Sequence, residues 1–381
     1  MNALDWTPVQ RAEALASLIQ EHADEADLQC RLPAPVAEAL SANGLYRIGA
    51  PLAYGGEEAS PLTQIETIET VSRFDGSAGW NLMIGIENFG LIAPGCDQCR
   101  HLLEDPMVVL CSSTASIGRA IRDGDGYRIN GTWQFVSGCQ NSSVFAATVR
   151  REEGGKVDRN FVYAMVPVPD FDIEETWDVA GMRGSGSHDV HVRDVWVPDN
   201  QIVAPLGAAA SDSALSRFPL GARLSYNKVA IGFGLARSAL DGFIDLAEGK
   251  VPRFSSLSLR ERSSAQLAIA ESEVRVRSSR ALVMELVSGM WQKVLQNREI
   301  TLKEKAIFHI ACSDGARAAA ESVDRVCDAA GTSSNFKGHP LERIARDVKV
   351  IRQHITVASH HIEDGGKVLL GLPATGMMLR S

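Results

Sequence analysis

Apolar positions along the chain repeat in three textures. Leu15, Leu18 and Ile19, then Val36, Ala39 and Leu40, recur at i, i+3 and i+4, as do Ile65, Ile68 and Val71. From about Thr7 to Leu110 the pattern therefore predicts amphipathic helices, broken at Pro33, Pro35, Pro51, Pro61 and Gly55-Gly56. From about Val108 to Val203 the period shortens to two. Tyr127–Val136 alternates after a Gly-Asp-Gly turn, and Ser143–Val149, Phe161–Val166 and Val190–Val197 are β-branched or aromatic runs bounded by turn residues. Such strands predict a compact β-domain, a small barrel. From about Ser216 four long helical runs follow, Val229–Leu246, Ala265–Leu295, Leu302–Ala330 and Leu341–Leu370, with the short loops of an antiparallel four-helix bundle. The expected class is α+β: an N-terminal helical domain (1–108), a β-barrel domain (109–205) and a C-terminal four-helix bundle (216–381), with no parallel sheet.

Composition narrows the function more than the fold. The 381 residues, 45% hydrophobic, suffice for two or three folding units. A formal charge of −9 argues against a nucleic-acid surface, which needs clustered Lys and Arg. Met1–Trp6 has neither the basic nor the apolar region of a signal peptide, and no run of 18 apolar residues occurs. With seven Cys, an odd number, the expectation is a cytoplasmic enzyme with reduced thiols and no membrane contact.

Most local motifs carry nothing on their own. Cys96-Asp-Gln-Cys99 lacks the second ligand pair of a zinc site, and no metal is expected. Gly232-Phe-Gly234 follows no strand and reads as a close-packed helix segment. His360 and His361 are adjacent, so they share no helix face and read as a solvated helix end. Arg183-Gly-Ser-Gly-Ser187-His188 is a small-residue loop before a strand, whose amides suit an anion or a planar ring.

Several segments together resemble the acyl-CoA dehydrogenase superfamily over nearly the whole chain. Asn130-Gly-Thr-Trp133-Gln-Phe135-Val-Ser137-Gly138 is similar to its flavin-facing strand, and Trp177–Ser187 with Asp194–Pro198 to its Gly-x-Arg-x-Ser segment and the strand after it. Cys111-Ser-Ser113-Thr114 stands where the family has its Thr-Glu-Pro flavin loop. Ala330-Gly331 and Pro340-Leu-Glu-Arg343-Ile-Ala-Arg346-Asp347 resemble the signature of its last helices. Many dehydrogenases of this fold carry a catalytic Glu about eight residues beyond the Arg-Asp pair; here Ile355 occupies that place, and no aliphatic side chain removes a proton.

The departures resemble the oxygenase components of two-component flavin-dependent monooxygenases. Ser77-Ala-Gly-Trp80, Ser137-Gly138-Cys139, Arg183–Ser187, His354 and the tail Gly366–Leu372 match that group. The resemblance implies reduced FAD or FMN supplied by a separate flavin reductase, and O2 as co-substrate. A C4a-hydroperoxyflavin would then hydroxylate a small aromatic substrate. It implies Ser137 and His354 as catalytic groups, and Trp80, Ser113, Trp133, Phe135, Ser137, Gly138, Arg183, Ser187, Arg253, Gly331 and Thr332 as cofactor contacts, Arg253 from a neighbouring subunit of a homotetramer or homodimer. Trp80, Glu87, Asn88 and His354 are the expected substrate contacts, with Glu87 or Asn88 facing an N–H donor such as an indole. The alternative is a flavin-dependent acyl-CoA dehydrogenase.

Overall fold

The structure is a computed structural model that describes residues 6–204 and 213–380. The ends of the expected spans, at 1, 205 and 381, lie outside the described residues. The chain opens with short helices α1 (Pro8–Glu13), α2 (Ala16–Glu21), α3 (Ala23–Gln29) and α4 (Ala34–Ala42), followed by α5 (Pro61–Phe74) and α6 (Gly76–Leu91). Strands β1 (Leu110–Asp123), β2 (Gly126–Val136), β3 (Val144–Glu153), β4 (Lys156–Val157), β5 (Val162–Pro167), β6 (Asp172–Glu174), β7 (His188–Pro198) and β8 (Ile202–Val203) come next. Helices α7 (Leu220–Gly249), α8 (Ser263–Leu295), α9 (Leu302–Ala330), α10 (Pro340–Gln353), α11 (His360–Leu369) and α12 (Met377–Arg380) complete it.

Element types change where the sequence texture does, but compaction follows other lines. One compact unit takes the chain up to Ser60, Asn81–Val179 and Arg183–Arg217; the other takes Pro61–Trp80, Ala180–Met182 and the chain from Phe218 onward. Thus α5 and the start of α6 fold with the C-terminal helices.

In the first unit the eight strands form one sheet in the order β6-β7-β2-β1-β3-β5-β8, with β4 beside β3. The sheet is mixed, contrary to the expectation of no parallel pairing, because β1 runs parallel to β3. The Gly124-Asp125 turn closes the β1–β2 hairpin, with Asp123 paired to Gly126. The sheet encloses a core of Trp133, Phe145, Phe171, Tyr127 and the valines between them. Cys111 and Cys139 are buried in that core; Cys96, between two short 3-10 turns after α6, and Cys99, within the second of them, are buried as well.

In the second unit α7 and α9 are buried along most of their length, as a central pair in a bundle must be. Gly234 is part of this packing, since a Cβ there would stand 2.4 Å from the Glu69 carbonyl oxygen of α5. The fourth long run expected at Leu341–Leu370 is not one helix. It stops at Gln353 and restarts at His360, with His354 extended at φ −66°, ψ 136°. Ile355-Thr356-Val357, three β-branched residues in a row, disfavour helix there. Among the described residues no helix is long and apolar enough to cross a membrane.

Candidate active site

The first unit concentrates its unusual backbone at the end of β2. Register against β7 shifts between Trp133 and Val136, and Phe135 takes φ +59°. A bulge of this kind re-aims one side chain. Here it turns the Phe135 ring outward, 57% exposed, edge-on to Trp177 at 6.1 Å between centroids. The next inward hydroxyl is Ser137. Its Oγ lies 2.7 Å from Ser187 Oγ, which lies 2.8 Å from Ser185 Oγ, and all three serines are buried. Gly138 follows at φ +73° and donates its N–H to the Ser185 carbonyl at 2.9 Å. Asn81 of α6 joins both strips, donating from Nδ2 to the Gly184 carbonyl at 3.3 Å; its Oδ1 would stand 2.6 Å from any Cβ at Gly138.

In the second unit His354 sits in the break between α10 and α11. Its ring is edge-on to Trp80, 5.3 Å between centroids. Nδ1 lies 3.0 Å from Thr356 Oγ1 and accepts the Thr356 backbone N–H at 3.4 Å. Burial, with a smaller contribution from the Lys228 charge, pushes the imidazole down to about 3, so it is neutral at physiological pH. Helix α10, which ends at this residue, is braced by a buried carboxylate. Asp347 Oδ1 accepts the Met182 N–H at 2.5 Å, and Gly181 lies so close that a Cβ would meet the Arg346 carbonyl oxygen at 2.3 Å. Burial and the nearby Asp75, which itself caps α6 by accepting the Ala78 N–H at 2.7 Å, raise Asp347 to about 7.

Sequence comparison adds a relationship to this geometry. Residues 11–94 match the acyl-CoA dehydrogenase N-terminal domain model and residues 227–359 the acyl-CoA dehydrogenase C-terminal domain model, together more than half of the chain. The chain belongs to the acyl-CoA dehydrogenase superfamily. The indole-3-acetate monooxygenase of Pseudomonas putida is 29% identical over 362 residues, 94% of this chain and 93% of that one. The crystal structure of a Rhodococcus 3-HSA hydroxylase superposes with a TM-score of 0.88 at 24% identity, covering 99% and 100% of the two chains. A Streptomyces protein, XiaF, solved with FADH2 and glycerol, reaches 0.86 at 20% identity over 97% and 96%.

Set on this superfamily's fold, the expected site residues separate into groups. Ser137, Gly138 and Ser187 come together in the first unit, with Phe135 at the bulge, and His354 meets Trp80 in the second. Ser113, at a register shift of β1, donates its hydroxyl to the Gln134 carbonyl at 2.6 Å and accepts the Ala115 N–H. Trp133 must be withdrawn as a ligand contact. Its ring is fully buried against Phe145, and its indole N–H is held by the Thr148 carbonyl at 2.8 Å, so no face is left for a ligand. Arg183 spends its guanidinium within the first unit, donating to the carbonyls of Asp27 in α3 and of Val179 at 2.8 and 2.7 Å.

Glu87 is buried, 7% exposed, and not on a solvated face, whereas Asn88 donates to the Leu110 carbonyl at 2.9 Å, a bond that ties α6 to β1. Arg253 and its neighbour Phe254 are exposed, and Gly331 and Thr332 follow the end of α9, where Lys250 Nζ is bound to the Ala330 carbonyl and Ser333 Oγ. His361, read as part of a solvated helix end, is buried and stacked on His309 at 5.6 Å. Sequence reading missed Asn81, Ser185, Thr356 and Lys250. Of these Ser185, inside the Arg183–Ser187 loop, and Thr356, two residues past His354, carried a local signal.

The donor set fits a flavin. A flat ring with polar edges calls for hydroxyls and backbone amides beside an aromatic face. The first unit has these at Ser137, Gly138, Ser187 and Phe135.

Proposed function

We propose that the chain is the oxygenase component of a two-component flavin-dependent monooxygenase that hydroxylates a small aromatic, with an indole-type compound as the leading substrate class. The observation that carries the reading is the α10–α11 break. An imidazole held neutral stands there beside Trp80, next to an exposed Ile355, where the dehydrogenase resemblance calls for a carboxylate. Removal of an α-proton from an acyl thioester has no base at that position. The name of the Pseudomonas putida relative, an indole-3-acetate monooxygenase similar along nearly its whole length, supports the substrate class.

Reduced FAD or FMN, delivered by a separate flavin reductase, supplies when bound the electrons that let one atom of O2 enter the substrate. The rest falls to the chain. Ser137, backed by Ser187 and Ser185, offers a hydroxyl to the polar edge of the ring, and Phe135 and Gly138 flank it. Trp80 gives an aromatic face, and His354 a ring nitrogen for an oxygen of the ligand. Glu87, already buried, accepts the N–H of a heteroaromatic substrate. Arg253, Gly331 and Thr332 hold phosphate, Arg253 reaching from a second copy of the chain in a homodimer or homotetramer. The buried residues keep water from the reacting atoms.

The test is isotopic. Protein, a flavin reductase, NADH and 18O2 should convert indole-3-acetate or indole to a product carrying one 18O atom, whereas protein and NADH without reductase give none. Reduction of an electron acceptor by an acyl-CoA, with no oxygen transfer to aromatics, overturns the reading.

A further inference from the structure

Breaking the helix at His354 leaves the Ile355 and Thr356 carbonyls with no backbone N–H partner among the described residues, and buried polar groups of that kind must be matched elsewhere. Side chains from three helices hold the turn. His361 Nε2 of α11 donates to the Ile355 carbonyl at 2.7 Å, and Ser225 Oγ of α7 donates to the Thr356 carbonyl at 2.8 Å, with the Gly221 carbonyl a second acceptor at 3.0 Å. Ser313 Oγ of α9 donates at 3.3 Å to the Ala358 carbonyl, which also accepts the His361 N–H at 3.1 Å. Behind them His309 of α9 meets the Ser225 hydroxyl through Nδ1 at 3.1 Å and stacks on His361, 5.6 Å between centroids and 29° between planes. All four side chains are buried.

The turn so held has one chemical consequence. A backbone N–H can only donate, so the Thr356 amide fixes His354 Nδ1 as an acceptor, and the Thr356 hydroxyl at 3.0 Å can donate to the same atom. The ring proton is then on Nε2. We infer that Ser225, Ser313, His309 and His361 are positioning residues that hold the 354–359 turn, through Thr356, so that His354 presents Nε2–H as a hydrogen-bond donor and not as a base. The catalytic sense of this rests on the monooxygenase reading: the ring donates to an oxygen of the ligand and leaves substrate deprotonation to another group. The charged and titratable groups facing the cluster are Lys228 toward His354, Lys305 toward His309 and His360 toward His361, which disfavour a further positive charge, and Asp364 toward His361, which favours one.

The test reads the imidazole directly, on the protein without flavin. In 15N-histidine-labelled protein the His354 signals, assigned by their loss in His354→Asn, should show an imine-type Nδ1 and a pyrrole-type Nε2 at pH 7, unchanged at pH 5. In Ser225→Ala and His361→Leu the turn is released, and the same signals should become tautomer-averaged and titrate near the ordinary histidine value of about 6.5. His361→Gln, which keeps an N–H at the Nε2 position, should restore the wild-type pattern. With reductase added, Ser225→Ala should lose roughly 10²-fold in kcat, the cost of about 1 Å of misplacement, with KM for the aromatic little changed. A wild-type His354 with its proton on Nδ1, or folded Ser225→Ala and Ser313→Ala proteins with wild-type His354 signals, overturns the inference; the two serine variants decide it where His361→Leu fails to fold. Wild-type protein that shows the Nε2–H pattern yet transfers no oxygen refutes the monooxygenase reading and leaves the positioning intact.

Discussion

Asp347→Asn is predicted to stabilise the protein, and to do so more as pH rises. Asp347 is fully buried in α10, its Oδ1 accepts the Met182 N–H, and burial with the neighbouring Asp75 raises it to about 7 from an ordinary 3.8. Below about pH 4 both folded and unfolded chains hold the proton, and the residue contributes no pH dependence. Between 4 and 7 the unfolded chain releases the proton while the folded one keeps it, so stability falls with rising pH; above 7 the deficit is constant. At 1.36 kcal/mol per pH unit the full cost is of order 4 kcal/mol, of which about 3 develops between pH 4.5 and 7.5. Asparagine keeps the acceptor for Met182 without the charge. Urea unfolding of both proteins at the two pH values gives the difference, with titrations elsewhere cancelling between them. An advantage of Asp347→Asn that is flat or shrinks from pH 4.5 to 7.5 refutes the argument and would mean that Arg343 and Arg346 keep the carboxylate ionised.

Three further outcomes are expected. Trp133→Ala should cost about 3–5 kcal/mol in urea unfolding, because it empties a core position; a small loss would return Trp133 to the ligand contacts. Ser137→Ala should leave the melting temperature nearly unchanged and weaken reduced-flavin affinity in anaerobic titration by about fivefold, the worth of one hydrogen bond near 1 kcal/mol; unaltered affinity removes Ser137 from the site. With His354 pushed down to about 3, it stays neutral at every pH above that, so hydroxylation should show no acid limb assignable to this residue between pH 8 and 5. A limb near 6.5 that vanishes in His354→Asn would contradict the burial described for the ring.

What could be read from sequence was whatever depends on period and on short contiguous segments. Strand alternation placed β2 and β7, and helical period placed α7, α8 and α9 within a few residues of their ends or inside them. The serine loop was legible because Ser137 and Ser185–Ser187 occur in continuous motifs. The parallel β1–β3 pair was not, since pairing partners are set by the path of the chain between strands and leave no local mark. The break after Gln353 was hidden by apolar spacing that runs on through Val357 and Ile362, although the β-branched run at 355–357 was in plain view. Trp133 was misread because a strand motif does not say which alternate residues face inward when a bulge at Phe135 resets the count. His361 was misjudged for a related reason: polarity predicts exposure only where no partner is available, and it is buried in its own helix packing.

The buried thiols bear on how such an enzyme ages. Cysteine is oxidised through its thiolate. Burial raises Cys139 to about 12 and Cys327 to about 11, and moves Cys30, Cys111 and Cys312 in the same direction; Cys99 alone is moved down, by the hydrogen bond from Cys96. An oxygenase that leaks peroxide during idle turnover would therefore expose itself to its own by-product with few thiolates within reach, and Cys111 and Cys139, in the same unit as Ser137, lie inside the sheet core. Turnover-linked inactivation should accordingly appear first in mass spectra as sulfoxide on exposed Met377, with Cys111 and Cys139 still reduced.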